Sequence, residues 1–282
     1  LRKTFSLILA TYGTQKIPLI KEFLFSINEQ EYEDFELIIV DQNKDQSVKQ
    51  LLDSKDWNFS FNYLKSSPGL SKARNVGLDA AKGHIVAFPD DDCLYTNNLL
   101  KRVDAFFKEK SEIDVLAIDT RDTISLKKLP YTKKVSGDFE FFKNDIFKTV
   151  TSISIFCKNY ENIRFDERLG LGTRHSSCEE FDFVTQFFKR KSRAFFTDKL
   201  QVLHPDHSDL NFALIIKKIK KHALGHGAYF KKHLIFILPT ALYYMLVSPL
   251  GGMVINIFKF NFEKTKMYYY FLATRLKGFL TF

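Results

Sequence analysis

The chain is poor in cysteine. Cys93, Cys157 and Cys178 are the only three in 282 residues, odd in number and widely spaced. That argues against a disulfide framework and points to a reducing compartment. No C-x-x-C pair offers structural zinc a site. There is no G-x-G-x-x-G and no glycine loop ending in GKS or GKT. Dinucleotide binding and P-loop hydrolysis therefore lack their phosphate cradles. No Ser/Gly-rich linker divides the sequence and nothing repeats at a solenoid period. The opening LRKTFSLILATYG holds only a short apolar run that continues into a structured pattern, which argues against a signal peptide.

Acidic residues are almost missing from one end. Residues 210–282 contain 11 Lys or Arg and a single Glu, whereas the preceding 209 residues carry 31 basic and 32 acidic groups. The net charge of +9 therefore belongs to the tail. Residues 234–258 of that tail, LIFILPTALYYMLVSPLGGMVINIF, run for 25 residues without a formal charge, bracketed by Lys231, Lys232 and Lys259. Basic flanks around an apolar, aromatic stretch suit an anionic lipid surface rather than nucleic acid. Three placements fit. The stretch can span or re-enter a bilayer, lie in its interface, or pack as a soluble helical tail on the domain or on a partner subunit in a homo-oligomer.

What remains is a strand–helix alternation. Residues 5–10, 35–41, 59–64, 84–88 and 112–119 read as short apolar strands. Residues 17–30, 46–54, 71–82 and 96–109 read as helices, the last with Thr96 or Asn97 as cap. Further strands are expected over 150–158 and at the start of 200–208, with a helix from about Ser177. Such alternation predicts an α/β fold with a mostly parallel sheet flanked by helices. The expected organisation is a catalytic domain over residues 1–209 and a helical appendage over 210–282.

Ligands of such sheets bind outside the carboxyl ends of the strands. Thr11, Asp41 and the run Asp90-Asp91-Asp92 all fall at those ends. Three adjacent carboxylates repel one another, so they either face water or share a cation, and Mg²⁺ and Mn²⁺ favour oxygen ligands. A solvated acidic turn or a helix cap is the bland alternative. Lys72 and Arg74 follow the Pro68-Gly69 turn, where a cation can meet a phosphate. Glu179 and Glu180 open a helix, where carboxylates are favoured by the helix dipole in any case, and either can also serve as a general base. His204 and His207 follow a strand.

These residues resemble the family 2 glycosyltransferases, inverting enzymes of the GT-A fold, and among them bacterial members that build capsule or other surface polysaccharide. The resemblance covers residues 4–209. Its most specific part is GLSKARNVGLDAAKGHIVAFPDDDC, residues 69–93, which carries a Gly-x-x-x-Ala-Arg-Asn-x-Gly helix followed by an Asp-x-Asp region. It implies that Asp41 contacts the base or a neighbouring part of the nucleotide, that Asp90 serves donor and metal, and that Arg74 contacts donor phosphate or stabilises the site; Thr11, Lys72 and Asp91 are the further candidates for the donor. Asp92, with Asp90 and His204, would hold Mn²⁺ or Mg²⁺, with His207 as the rival histidine. The second block is GLGTRHSSCEEFDF, residues 170–183. It implies a catalytic base at Glu180, with Glu179 as alternative, since Cys178 replaces a common glycine and glutamate a common aspartate. The implied reaction is metal-dependent transfer from a UDP-sugar to a saccharide or lipid-linked saccharide at the inner face of a bacterial membrane. A nucleotidyltransferase, or an inactive saccharide-binding module, is the competing reading.

Overall fold

The computed structural model describes residues 3–129, 135–206 and 210–282. The chain forms two compact units, Leu1–Phe165 with Phe183–Ser208, and Asp166–Asp182 with Asp209–Phe282. The second unit therefore begins its tail where composition shifts, but also takes in Asp166–Asp182, which the sequence groups with the catalytic region.

In the first unit, β1 (Phe5–Thr11), β2 (Phe35–Asp41), β3 (Ser60–Lys65) and β4 (Ile85–Ala87) form a run of four parallel strands in one sheet, in the order β3-β2-β1-β4. Every residue of β2 is buried, as a continuous apolar run covered on both faces requires. α1 (Ile17–Asn28) buries Ile20, Phe23, Leu24 and Ile27, with Pro18 in its first turn. α2 (Ser47–Asp53) and α3 (Leu70–Ala80) are the next crossover helices. α3 lies close on β1 because residue 77 is glycine: a Cβ there would sit 2.3 Å from Ile8 Cγ2.

β5 (Leu94–Tyr95) is a two-residue strand, and α4 (Leu99–Glu109) starts later than the sequence suggests, with Asn98 rather than Thr96 or Asn97 at the cap. The reason is pairing: Leu94 and Tyr95 are held opposite Leu203 and Val202. β6 (Ile113–Arg121), β7 (Phe139–Phe141), α5 (Ile146–Thr149) and β8 (Ile155–Lys158) follow. β8 runs antiparallel between β4 and β6. It is shorter than expected because residues 152–154 form a 3₁₀ turn closed by a Thr151/Ser154 capping box. α6 (Glu179–Lys189) leads to β9 (Arg193–Leu203), which pairs parallel with β6 and begins well before the expected residue 200.

In the second unit, α7 (Phe212–His233) and α10 (Phe262–Thr281) are long helices capped by the side chains of Asn211 and Asn261. Between them lie α8 (Leu238–Leu242), a π-helical turn (Tyr243–Val247) and α9 (Ser248–Phe258). Together Leu238–Phe258 make one 21-residue apolar helical run of mean hydropathy 1.5, long enough to cross a membrane. One glycine in each long helix, Gly227 of HALGHGAYF and Gly278 of α10, explains the packing. A Cβ on Gly227 would meet the Arg275 carbonyl oxygen at 2.0 Å, and one on Gly278 the Leu224 carbonyl oxygen at 2.1 Å. α7 and α10 thus cross backbone on backbone.

Gly278→Ala is therefore expected to destabilise this unit by about 3 kcal/mol, since neither main chain can yield cheaply. Gly251→Ala, where an added Cβ meets nothing within 4 Å, is expected to be neutral or slightly stabilising. Loss of helical signal in chemical denaturation reads both.

Candidate active site

The register of the parallel strands builds the site. Thr11, Asp41 and Lys65 are aligned across β1, β2 and β3 as their last residues, so their side chains share the carboxyl edge. The Asp41 carboxylate is fully buried. Its Oδ1 accepts from the backbone and side-chain nitrogens of Asn43 (2.9 and 2.8 Å), and its Oδ2 from Tyr63 Oη (2.7 Å) and Lys65 Nζ (2.8 Å). Lys65 also donates to the carbonyls of Asn43 and Asp45, at 2.8 and 2.7 Å. Asn43 Oδ1 in turn accepts from the Gly13 N–H at 2.7 Å. Asp41 thus organises the loops after β1 and β2, with its acceptors already engaged.

The three carboxylates after β4 do not converge on one point: Asp90 has a partner of its own, while Asp91 and Asp92 share Lys16. Asp90 Oδ1 accepts from Arg74 at 3.1 Å. Asp91, largely buried, accepts from Thr11 Oγ1 at 3.1 Å and Lys16 Nζ at 3.0 Å. Asp92 lies 3.6 Å from Lys16 and 3.3 Å from His204 Nε2. His204 Nδ1 donates to the Pro205 carbonyl at 2.8 Å, which fixes the ring and turns Nε2 to Asp92.

Electrostatics follow the crowding. Desolvation raises Asp90 to about 6; Arg74 opposes this, and Asp92 and Asp91 add to it. Burial also raises Asp91 against the pull of Lys16. Burial works against the charge on Lys16, but Asp91 and Asp92 outweigh it and hold its pKa above the ordinary value. His204 behaves alike: burial lowers it, and Asp92 with the Pro205 carbonyl brings it above the usual value.

The A-R-N-x-G helix is mainly scaffold. Arg74 is 1% exposed and lies over the rings of Phe88 and Phe165, at 5.8 and 5.4 Å to their centroids. It holds Asp90 from below instead of presenting a free guanidinium. Asn75 pairs with the backbone of Phe165 in both directions, accepting its N–H at 2.9 Å and donating to its carbonyl at 3.0 Å. Lys72 is exposed on the first turn of α3.

Arg74→Met is expected to lower stability by about 2 kcal/mol in chemical denaturation, allowing for the partial exposure of Asp90. Donor KM should move by less than about threefold. A residue that mainly grips phosphate would instead raise KM and leave the unfolding midpoint unchanged.

Glu179 and Glu180 open α6 in the second unit, Glu179 buried and Glu180 half-buried. The residue before them, Cys178, has φ +68°, a left-handed conformation that favours glycine. Gly170 and Gly172 have φ +93° and +92°, and the Gly170 carbonyl accepts from the Thr173 hydroxyl at 2.9 Å. Asp182 is fully buried, 2.7 Å from both His233 Nε2 and Lys232 Nζ. Lys232 also pairs with Asp166 at 2.7 Å. Burial opposes the Asp166 charge, but Arg168 and Lys232 hold its carboxyl well below the usual range. Asp182 is thus part of the framework behind the two glutamates.

The expected metal set is only partly assembled. Among the described residues no three His, Cys, Asp or Glu side chains converge to hold a metal ion. Asp92 and His204 do come together, whereas Asp90 turns to Arg74. His207 lies outside the described residues. Two donor atoms 3.3 Å apart nearly match the roughly 3 Å edge of an octahedron with metal–ligand bonds of about 2.1 Å. Mg²⁺-type sites are commonly completed by water and phosphate oxygens, so a pair of protein ligands fits that chemistry.

Sequence reasoning missed Lys16, Asn43, Tyr63 and Lys65. The signal for Lys65 was its place at the end of a strand parallel to β2. Lys16 gave none beyond its position after β1.

The sheet and its flanking helices have the GT-A fold. Residues 6–166, more than half of the chain, match the family model Glycosyl transferase family 2. The chain belongs to this family. It is 28% identical over 269 residues to the minor teichoic acid biosynthesis protein GgaB of Bacillus subtilis (strain 168), covering 87% of this chain and 29% of that protein. The chain thus spans less than a third of this relative. Among solved structures, mannosyltransferase PcManGT from Pyrobaculum calidifontis, in complex with GDP-Man and Mn²⁺, superposes with a TM-score of 0.68 at 18% identity, covering 99% of this chain and 87% of that one. S. aureus TarS 1–349 in complex with UDP-GlcNAc gives 0.57 at 20% identity, covering 98% and 89%.

Proposed function

We propose that the chain transfers a sugar from a UDP-sugar to a hydroxyl of a saccharide or lipid-linked saccharide, with inversion at the anomeric carbon. The observation that carries this reading is the Asp92–His204 pair, 3.3 Å apart on the carboxyl edge of the sheet. Asp92 and His204 would hold Mn²⁺ or Mg²⁺, and Asp90 would complete the set on leaving Arg74. When bound, the cation supplies charge neutralisation for the departing diphosphate. Lys16 keeps Asp91 and Asp92 fixed beside each other, and Thr11 holds Asp91 from the other side. Lys72, exposed on the first turn of α3, would attract the diphosphate. Because the Asp41 carboxylate is buried and satisfied, its part is positioning: it presents Asn43, Tyr63 and Lys65 to the nucleotide. Glu180, the less buried of the two glutamates, takes the proton from the acceptor hydroxyl.

The GgaB likeness supports a surface-polymer acceptor. The basic, apolar tail supports a place in the bacterial cytoplasm at the inner face of the membrane. A panel of nucleotide sugars with Mn²⁺ or Mg²⁺, scored by nucleoside diphosphate release and by the anomeric configuration of the product, tests the reading. UDP release with an inverted product is expected. Pyrophosphate from a nucleoside triphosphate, without diphosphate release from any sugar nucleotide, would replace it with the nucleotidyltransferase reading.

A further inference from the structure

An ordinary surface helix turns its apolar stripe inward. The run Leu238–Phe258 does the opposite. Thr240, Ala241, Met245, Pro249 and Asn256 are buried within the second unit, and Asn256 Nδ2 is spent on the Gly252 carbonyl at 2.7 Å. Leu242, Leu246, Leu250, Val254 and Phe258 recur every four residues and are 38–80% exposed. This is a continuous outward stripe, far beyond the scattered single apolar residues of a normal surface.

Its chemistry selects an occupant. Residues 234–258 hold no charge, and the stripe itself offers no side-chain donor or acceptor. A protein partner would ordinarily find roughly one hydrogen bond per 100–200 Å². The ends are cationic instead, with Lys231 before the stripe and Lys259, Lys264 and Lys266 after it, against the one acidic residue Glu263. An apolar layer beneath an anionic headgroup plane complements both features. The packing also sets the orientation. The ring of Tyr268 on α10 fills the space where a Cβ on Gly252 would stand, 2.5 Å away. α10 carries Lys264, Lys266, Arg275 and Lys277. A run that crossed the bilayer would draw this packed, charged helix into hydrocarbon, which is strongly unfavourable.

We propose that α8–α9 lies flat in the interface of an anionic phospholipid membrane, with the Leu242–Phe258 stripe in the acyl layer and the flanking lysines among the headgroups. This deepens the inner-face placement given above and is independent of the donor chemistry.

The test is co-sedimentation of the full chain with phosphatidylcholine vesicles, with and without phosphatidylglycerol, while UDP release is followed in the same samples. Binding is expected to rise about tenfold or more with the anionic lipid and to weaken with salt. Leu246→Glu/Leu250→Glu should lower it about tenfold or more, with helical content and UDP release unchanged. A tryptophan placed at Leu250 should be quenched more by shallowly than by deeply brominated lipids. The proposal falls if the full chain stays in the supernatant, if the double variant binds as before, if deep bromines quench best, or if light scattering shows a stable dimer that ignores vesicles. Continued UDP release in any of these cases would leave the transferase reading standing.

Discussion

Asp92→Asn is expected to reduce sugar transfer about a thousandfold, with the fold intact. Asparagine keeps the shape of the side chain and removes its charge. Asp92 is the residue placed between Lys16, at 3.6 Å, and His204, at 3.3 Å. Without its charge the edge loses a hard oxygen ligand, leaves His204 without its partner ligand and leaves the Lys16 charge less opposed. Asp91→Asn provides the contrast. Asp91 is spent on Thr11 and Lys16, so its loss should appear as lower stability with a milder effect on rate. The measurement is UDP release at saturating donor and Mn²⁺ beside an unfolding curve for each variant. Asp92→Asn within about threefold of the parent rate would remove Asp92 from the reaction.

Glu180→Gln is expected to lower transfer by about 10²–10⁴-fold, the usual contribution of a general base, and to leave donor affinity unchanged. Two features favour Glu180 over Glu179. Glu179 is buried in the first turn of α6, while Glu180 is half-buried. The left-handed backbone at Cys178 fits the glycine expected before the two acidic residues, and the proposed base is the second of these, Glu180. Glu179→Gln should act mainly on stability. Calorimetric titration with UDP separates binding from turnover, and loss of the acid limb of the rate–pH profile in Glu180→Gln, but not in Glu179→Gln, assigns the base. The reverse pattern would give the role to Glu179.

The elements that carry their own signal were legible in the sequence. β1, β2, β4, α1 and α3 follow from apolar runs and helical spacing, and the ends of β2 and β4 put Asp41 and Asp90–Asp92 on one edge. What could not be read depends on distant partners. β5 has two residues and exists because Leu203 and Val202 lie opposite. β8 turns antiparallel between β4 and β6, and no local pattern states this. The same holds in the site. Arg74 looks in sequence like a cation on a helix near phosphate, yet it is a buried post between Phe88, Phe165 and Asp90. Asp41 looks like a free carboxylate until β3 brings Tyr63 and Lys65 into register with it. A side chain's type is written in the sequence; whether its hydrogen bonds are already used is decided by the fold.

The central claim is that the carboxyl edge at Asp92 and His204 holds a divalent cation together with the donor diphosphate. Anomalous diffraction from crystals of the full chain soaked with Mn²⁺ and UDP tests it most directly. The expected result is one manganese peak within coordination distance of Asp92 and His204 and bridged to the UDP phosphates. A manganese peak elsewhere, or UDP bound at this edge in manganese-soaked crystals with no peak beside Asp92, would contradict it.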